Sequence, residues 1–310
     1  MKLSDMLGAG AAETFLELPK GDLAKLGAKI ALIGADGCTP YASVGFYCAG
    51  GPAAIRNGAT DYGAILSHMN FDLGGPVFPN DVVAVDCGDL PVDPGDAAGN
   101  RALLKGAVSQ VLDQGAVPVL IGGDDSLPIP MLQAFEGRGR KLTILQIDAH
   151  IDWRNEVQGE NWGLSSTMRR ASEMGHVERI IQVGQRGMGS ARASEVEDAV
   201  KWGVEFVSGR EVARDGIGRA LSLVPEGADV VICLDCDALD PAVMPAVIGR
   251  TAGGLSYNQV LDLVAGVQGK ARIAAFDMVE FVPSQDIGGQ GALTAAQLLT
   301  AVLGLIARQV

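Results

Sequence analysis

A chain of 310 residues that is 48% apolar and 20% charged has an ordinary globular composition and can bury a core without staples. A net charge of −13 argues against nucleic acid and anionic membranes, which select basic surfaces, and accommodates a cationic small molecule or bound metal. Five scattered cysteines (Cys38, Cys48, Cys87, Cys233 and Cys236) exclude a disulfide scaffold and point to a reducing, cytoplasmic setting.

Met1–Pro19 lacks the basic region and apolar stretch of a signal peptide, and no apolar run of about eighteen residues reads as a membrane span. Strands are expected at Lys29–Gly34 and Asp81–Asp86, then a helix carrying Leu103, Leu104, Ala107, Val108, Val111 and Leu112 and closed by Gly115. Further strands follow at Val117–Ile121, Leu142–Asp148, Ile180–Val183, Val204–Val207 and Asp229–Asp235. Ser256 and Gln259 form a capping box that opens a helix through Val264. A strand at Ile273–Met278 and a helix at about Thr294–Arg308 complete the chain. The strands are continuously apolar, as in a parallel sheet covered on both faces. The alternation implies one α/β domain over residues 1–310, a three-layer α/β/α sandwich on a mostly parallel sheet of about eight strands. Asp36–Gly51, Trp153–Arg170 and Pro241–Gly254 read as functional loops that choose the substrate.

Ligands of open parallel sheets bind beyond the carboxyl ends of the strands, so the residues there carry the functional reading. Four ends deliver acids: Gly122-Gly123-Asp124-Asp125-Ser126, Asp148-Ala149-His150-Ile151-Asp152, Asp235-Cys236-Asp237-Ala238-Leu239-Asp240-Pro241, and Val279-Glu280. In extended backbone Asp148, His150 and Asp152 would share one face, and so would Asp235 and Asp237. So many carboxylates in one crevice require cations, and oxygen ligands with one imidazole suit Mn²⁺, two ions being plausible where carboxylates can bridge. The alternative, Asp residues acting only as turn formers, suits one such motif better than several. Cys233 and Cys236 offer a C-x-x-C pair, but their place in a strand-like apolar run favours two buried thiols on opposite faces.

The segments quoted above resemble the motifs of the ureohydrolase (arginase/agmatinase) superfamily: D-A-H-x-D, D-x-D-x-x-D-P, and G-G-D-H-S with Asp125 in place of the histidine. Gly51-Pro52-Ala53-Ala54-Ile55-Arg56 and Asp86-Cys87-Gly88-Asp89 resemble further signatures, so the likeness spans roughly residues 30 to 305. It implies an arginase-like fold and two divalent ions, Mn²⁺ first and Ni²⁺ as the alternative. Asp125, Asp148, Asp152 and Asp235 would hold one, and Asp148, His150, Asp235 and Asp237 the other. It also implies hydrolysis of a C–N bond in a small cationic guanidino compound to urea and an amine. Asp152 would relay a proton, and Glu280 would hold the guanidinium through a bidentate bond. Assembly into homotrimers or hexamers is implied as well.

Two departures stand out. Asp125 puts an anion where the family has a neutral ligand, and Asn161–Arg170 lacks the histidine that many relatives carry after D-A-H-x-D. These leave two other readings: a formimino hydrolase releasing formamide, and a silent subunit paired with an active paralogue. Arg154 could read a substrate carboxylate or sit at a surface. Trp162 could pack against substrate or anchor the core. His68 and His176 fall in no matching motif.

Overall fold

The computed structural model describes residues 13–79, 82–189 and 191–309. Residues 1–12, on which much of the signal-peptide argument rests, and Asp81 lie outside the described residues.

All eight expected strands form: β1 (Ile30–Gly34), β2 (Ala84–Asp89), β3 (Val117–Ile121), β4 (Leu142–Ile147), β5 (Val177–Val183), β6 (Glu205–Val207), β7 (Asp229–Asp235) and β8 (Arg272–Val279). They make one sheet in the order β2-β1-β3-β8-β7-β4-β5-β6, with every pairing parallel. β2 runs three residues further toward the C-terminus than its apolar run, because its polar end has a buried cation to meet. Arg56 grips Asp86 with Nε and Nη2, at 2.7 and 2.9 Å, and Asp89 with Nη1 at 2.6 Å. Such a fork of charge-assisted bonds offsets the cost of burying the ions.

Successive strand residues feed two cores, one on each face of the sheet. In β7, Val230, Ile232 and Leu234 join one core while Val231 and Cys233 join the other. The first core is roofed by helices Gly51–Gly58, Tyr257–Gln268 and Gln290–Ala307, the second by Ala97–Asp113, Pro128–Gln133 and Thr167–Ser172. Full burial of each Leu, Ile or Val is worth roughly 1.5–3 kcal/mol, so the three layers hold by apolar contact. Cys233 and Cys236 are buried in opposite cores, and burial pushes both thiols up. They act as core residues, not as a redox pair.

Caps explain where helices begin. The Ser256–Gln259 box is present at 3.2 and 2.9 Å. The last helix starts at Gln290, four residues before the expected start at Thr294, because Asp286 accepts from the amides of Gly291 and Ala292 at 2.7 and 3.0 Å. This helix, 18 residues with a mean hydropathy of 1.5, is long and apolar enough to cross a membrane, contrary to the expectation above. It is 67% buried inside the protein, and its Leu298, Leu299, Val302 and Ile306 belong to the first core. Thr167–Ser172 is helical, so the loop expected to reach Arg170 ends at Ser166.

The sheet order positions the site. β3, β8, β7 and β4 are consecutive neighbours at its centre, and theirs are the four acid-bearing ends. After β3 the chain turns through Gly122 and Gly123, at φ 81° and 76°. A Cβ on Gly122 would meet the Pro52 ring at 2.4 Å, and one on Gly123 would meet Leu127 Cδ1 at 2.3 Å. Glycine is therefore required twice for the backbone to deliver Asp124 and Asp125.

Candidate active site

The structure gathers the expected acids and the imidazole at one place. The ligand atoms of Asp148, His150 and Asp237 lie within 4.8 Å of one another, and so do those of Asp125, Asp148 and Asp152. Asp148 belongs to both groups. Asp235 lines the same pocket, outside both tight groups, and accepts from the Asp237 amide at 2.6 Å. The pocket, of about 210 Å³, is lined by Asp125, His150, Asp152, Asp235, Asp237 and Glu280, with Arg154 and Ser165 among its other walls.

The backbone reaches this arrangement by a different route from the extended one expected. β4 ends at Ile147, and Asp152 has φ 44°, a left-handed conformation costly for a residue with a Cβ. β7 ends at Asp235, and Cys236–Ala238 is a 3-10 turn. Two tight turns, rather than strand alternation, aim the side chains together. Gln146 holds the first turn, its Nε2 donating to Asp148 Oδ2 and Asp152 Oδ2 at 2.6 Å each. Gln182 backs it, donating to Gln146 Oε1 and, at 2.8 Å, to Ile151 O. Arg186 holds the second, donating to the carbonyls of Asp237, Ala238 and Leu239 at 2.6, 3.1 and 3.2 Å. None of these three entered the sequence reading. The only signal was polar glutamine inside the apolar runs of β4 and β5, since a buried polar group demands a partner.

Electrostatics divides the cluster. His150 Nδ1 lies 3.0 Å from Asp237 Oδ2 and 3.4 Å from Asp148 Oδ1. Burial disfavours its charge, but those two carboxylates outweigh burial and push it up to about 12. Burial is the largest influence on Asp148 and raises it, yet the contacts with His150 and Asp152 together outweigh burial and hold it down to about 2. On the other side burial, and then the neighbouring carboxylates, drive Asp125 and Asp152 well above the ordinary carboxylate range. Asp235 moves the same way, by burial and then Asp237. Asp125 Oδ2 is buried without a hydrogen-bond partner. An unsatisfied oxygen among crowded acids is what a divalent cation would relieve, so the donor set fits metal ions.

Glu280 is carried by the end of β8, again at positive φ (62°). Burial pushes it up to about 8, against the lowering effect of its bond to Tyr47. Its Oε1 accepts from the Tyr47 hydroxyl and, at 2.9 Å, from the Asp125 amide. One oxygen is thus taken by the protein, while the other, Oε2, makes no hydrogen bond among the described residues. Arg154 lines the pocket half-buried, and its guanidinium makes no hydrogen bond or ion pair among the described residues. Trp162 is not brought here. Its ring meets Arg101 and Arg170, whose guanidinium carbons sit 5.7 and 5.9 Å from its centre, and it lines a separate cavity with His176. His68 lines a third, larger cavity of about 450 Å³ formed with Tyr62, Phe71 and Tyr257. No histidine replaces the one missing after Asp152 among the pocket residues, where Leu164 and Ser165 stand.

Comparison with known proteins agrees with this geometry. The model of the Arginase family matches residues 29–304. A guanidinopropionase of Pseudomonas aeruginosa is 32% identical over 240 residues, 74% of each chain. An agmatinase of Pyrococcus horikoshii is 27% identical over 94% of this chain and 96% of its own. Among solved structures, the proclavaminate amidino hydrolase of Streptomyces clavuligerus superposes with a TM-score of 0.82 at 26% identity, covering 97% of this chain and 99% of that one. With its eight-stranded parallel sheet and its acids gathered at the central strand ends, this chain belongs to the arginase family, on the agmatinase-like branch of the ureohydrolases.

Proposed function

We propose that this chain hydrolyses a C–N bond of a small guanidino compound bearing a carboxylate, releasing urea and an amine. One observation carries the reading: two tight ligand groups share Asp148, and Glu280 lines the same pocket as their other members. Asp125, Asp148, Asp152 and Asp235 would hold one divalent ion, and Asp148, His150, Asp235 and Asp237 the other, with Mn²⁺ favoured by the oxygen-rich set and Ni²⁺ the alternative. Bound there, the ions supply positive charge that makes water acidic enough to react at neutral pH.

The chain's own groups do the rest. Glu280 Oε2 accepts a guanidinium N–H and turns the central carbon toward the acids. Arg154 at the pocket wall pairs with the substrate carboxylate, a role that its unpaired guanidinium supports and that the guanidinopropionase relative shares in name. Asp152 takes a proton from the attacking water and passes it to the nitrogen that leaves. Water oxygen bonds to the carbon, the C–N bond to the substituted nitrogen breaks, and the departing amine carries the proton. The acidic surface suits a cytoplasmic enzyme, which we take to work as a homo-oligomer.

The test is elemental mass spectrometry of the purified protein, joined to product assays on 3-guanidinopropionate, 4-guanidinobutyrate, agmatine, guanidine and a formimino acid. Bound Mn²⁺ or Ni²⁺ with urea from the guanidino acids is the expected result. Formamide from the formimino acid alone would replace this reading, as would no metal and no product, which would make the chain a silent subunit.

A further inference from the structure

Glu280 is held from behind by a residue that no motif singled out. Tyr47 lies in the segment between β1 and the helix Gly51–Gly58, and its hydroxyl reaches 233 positions along the chain to Glu280 Oε1. The Asp125 amide donates to the same oxygen at 2.9 Å. A carboxyl oxygen that already accepts a phenol and an amide has its in-plane lone pairs occupied, so a substrate N–H cannot displace either donor cheaply. Oε2 makes no hydrogen bond among the described residues, and Glu280 lines the pocket. The carboxylate is therefore clamped along one edge and open along the other.

The clamp is itself braced. The Tyr47 amide donates to Gly45 O at 3.0 Å, and the Gly51 amide donates to Cys48 O at 2.9 Å. The Gly50 amide donates to Asp36 Oδ1 at 2.8 Å. Cys48, next in the chain, is buried. Burial, and then the Glu280 charge, raise Tyr47 far above the ordinary phenol range, so the hydroxyl remains a donor at every pH the enzyme meets.

We infer that Tyr47 is a positioning residue that fixes Glu280 so that a single carboxylate oxygen, Oε2, receives the substrate through one charge-assisted hydrogen bond. This rests on the proposed guanidino chemistry for its kinetic consequence, while the hold of Tyr47 on Glu280 stands apart from it. A side chain pinned in advance loses little freedom when substrate arrives, and that saving appears as binding. Because Glu280 meets the substrate both before and during reaction, losing the clamp should raise KM more than it lowers kcat.

The experiment is Tyr47→Phe, which removes the hydroxyl and keeps the ring, compared with the parent chain in three readouts: crystal structure, metal content with melting temperature, and kinetics on whichever guanidino acid the parent hydrolyses. The expected result is a Glu280 side chain that rotates or splits into two conformers. Metal content and melting stay near the parent, KM rises about tenfold, and kcat changes by less than that. Glu280 unmoved with KM unchanged overturns the inference. So does a variant that loses its fold or metal, because the tyrosine would then be structural. If the parent hydrolyses no guanidino compound, the proposed function fails, and the crystal structure of Tyr47→Phe still decides whether Tyr47 holds Glu280.

Discussion

The two sides of the acid cluster solve the same problem differently. Around His150 and Asp237 the surplus negative charge is met by an imidazolium, held protonated by the carboxylates it touches. Around Asp125 and Asp152 no imidazole or guanidinium makes such a contact among the described residues, and burial, then the neighbouring carboxylates, raises both acids well above the ordinary carboxylate range. Asp148 spans both, bonded to His150 on one side and sharing the Gln146 amide with Asp152 on the other. A histidine in the Asp125 position would have made the two sides alike, so the exchange concentrates charge on one of them. Metal entry is therefore coupled to proton release wherever a ligand holds a proton.

Breaking the shared member should have the largest effect. Asp148→Asn should strip metal from both sides and lower hydrolysis by at least about 10²–10³-fold, the scale of losing one electrostatic stabiliser. Full metal occupancy in that variant, read by elemental mass spectrometry, would end the idea of a common ligand. A subtler change tests the asymmetry itself. Asp125→His should remove a buried carboxyl group with an unsatisfied oxygen and stabilise the metal-free protein by roughly 1–3 kcal/mol. Because imidazole suits Ni²⁺ better than a carboxylate does, the share of Ni²⁺ bound from an equal Mn²⁺/Ni²⁺ mixture should rise. An unchanged ratio would mean that Asp125 does not touch the ion.

The smallest effect concerns an acid beneath the cluster. Asp277 in β8 is fully buried, and burial pushes it up to about 8 against the lowering effect of contacts with Cys233 and the Leu234 backbone. With its folded value raised, its contribution to stability is complete below the unfolded value of 3.8 and is lost as pH climbs toward about 8. Asp277→Asn, neutral at every pH, should flatten the fall in stability of the metal-free protein between about pH 4 and 8, measured by urea unfolding. A slope identical to the parent's would assign the dependence to the other raised acids, Asp124, Asp125, Asp152, Asp235, Asp237 and Glu280.

Much of this was legible in the sequence, for definite reasons. Strands buried on both faces announce themselves as unbroken apolar runs, and acids at their carboxyl ends stand out against them. What could not be read was neighbourhood. Nothing local says that β8 and β7 insert between β3 and β4, although that order brings Asp125, Glu280, Asp235 and Asp148 to one crevice. The periodicity argument reached the right residues by the wrong geometry, since Asp152 and Asp237 are aimed by turns whose dihedrals no alternation rule encodes. Trp162 could be read as a substrate contact or as a core anchor, and its ring is met instead by Arg101, from a distant helix, and by Arg170, eight positions on. Tyr47 gave no signal at all, because its partner is 233 positions away.

Asp152 and Glu280 share one further property. Both hold left-handed backbone angles, among only five non-glycine residues that do so in the described chain. Such conformations cost about 1–3 kcal/mol each and persist only where the surroundings enforce them. The protein thus keeps its two proposed working groups at its least comfortable joints. A lineage selected for heat tolerance alone, with no demand for turnover, would find glycine at these two positions an easy gain, and would discard the chemistry before it touched the scaffold.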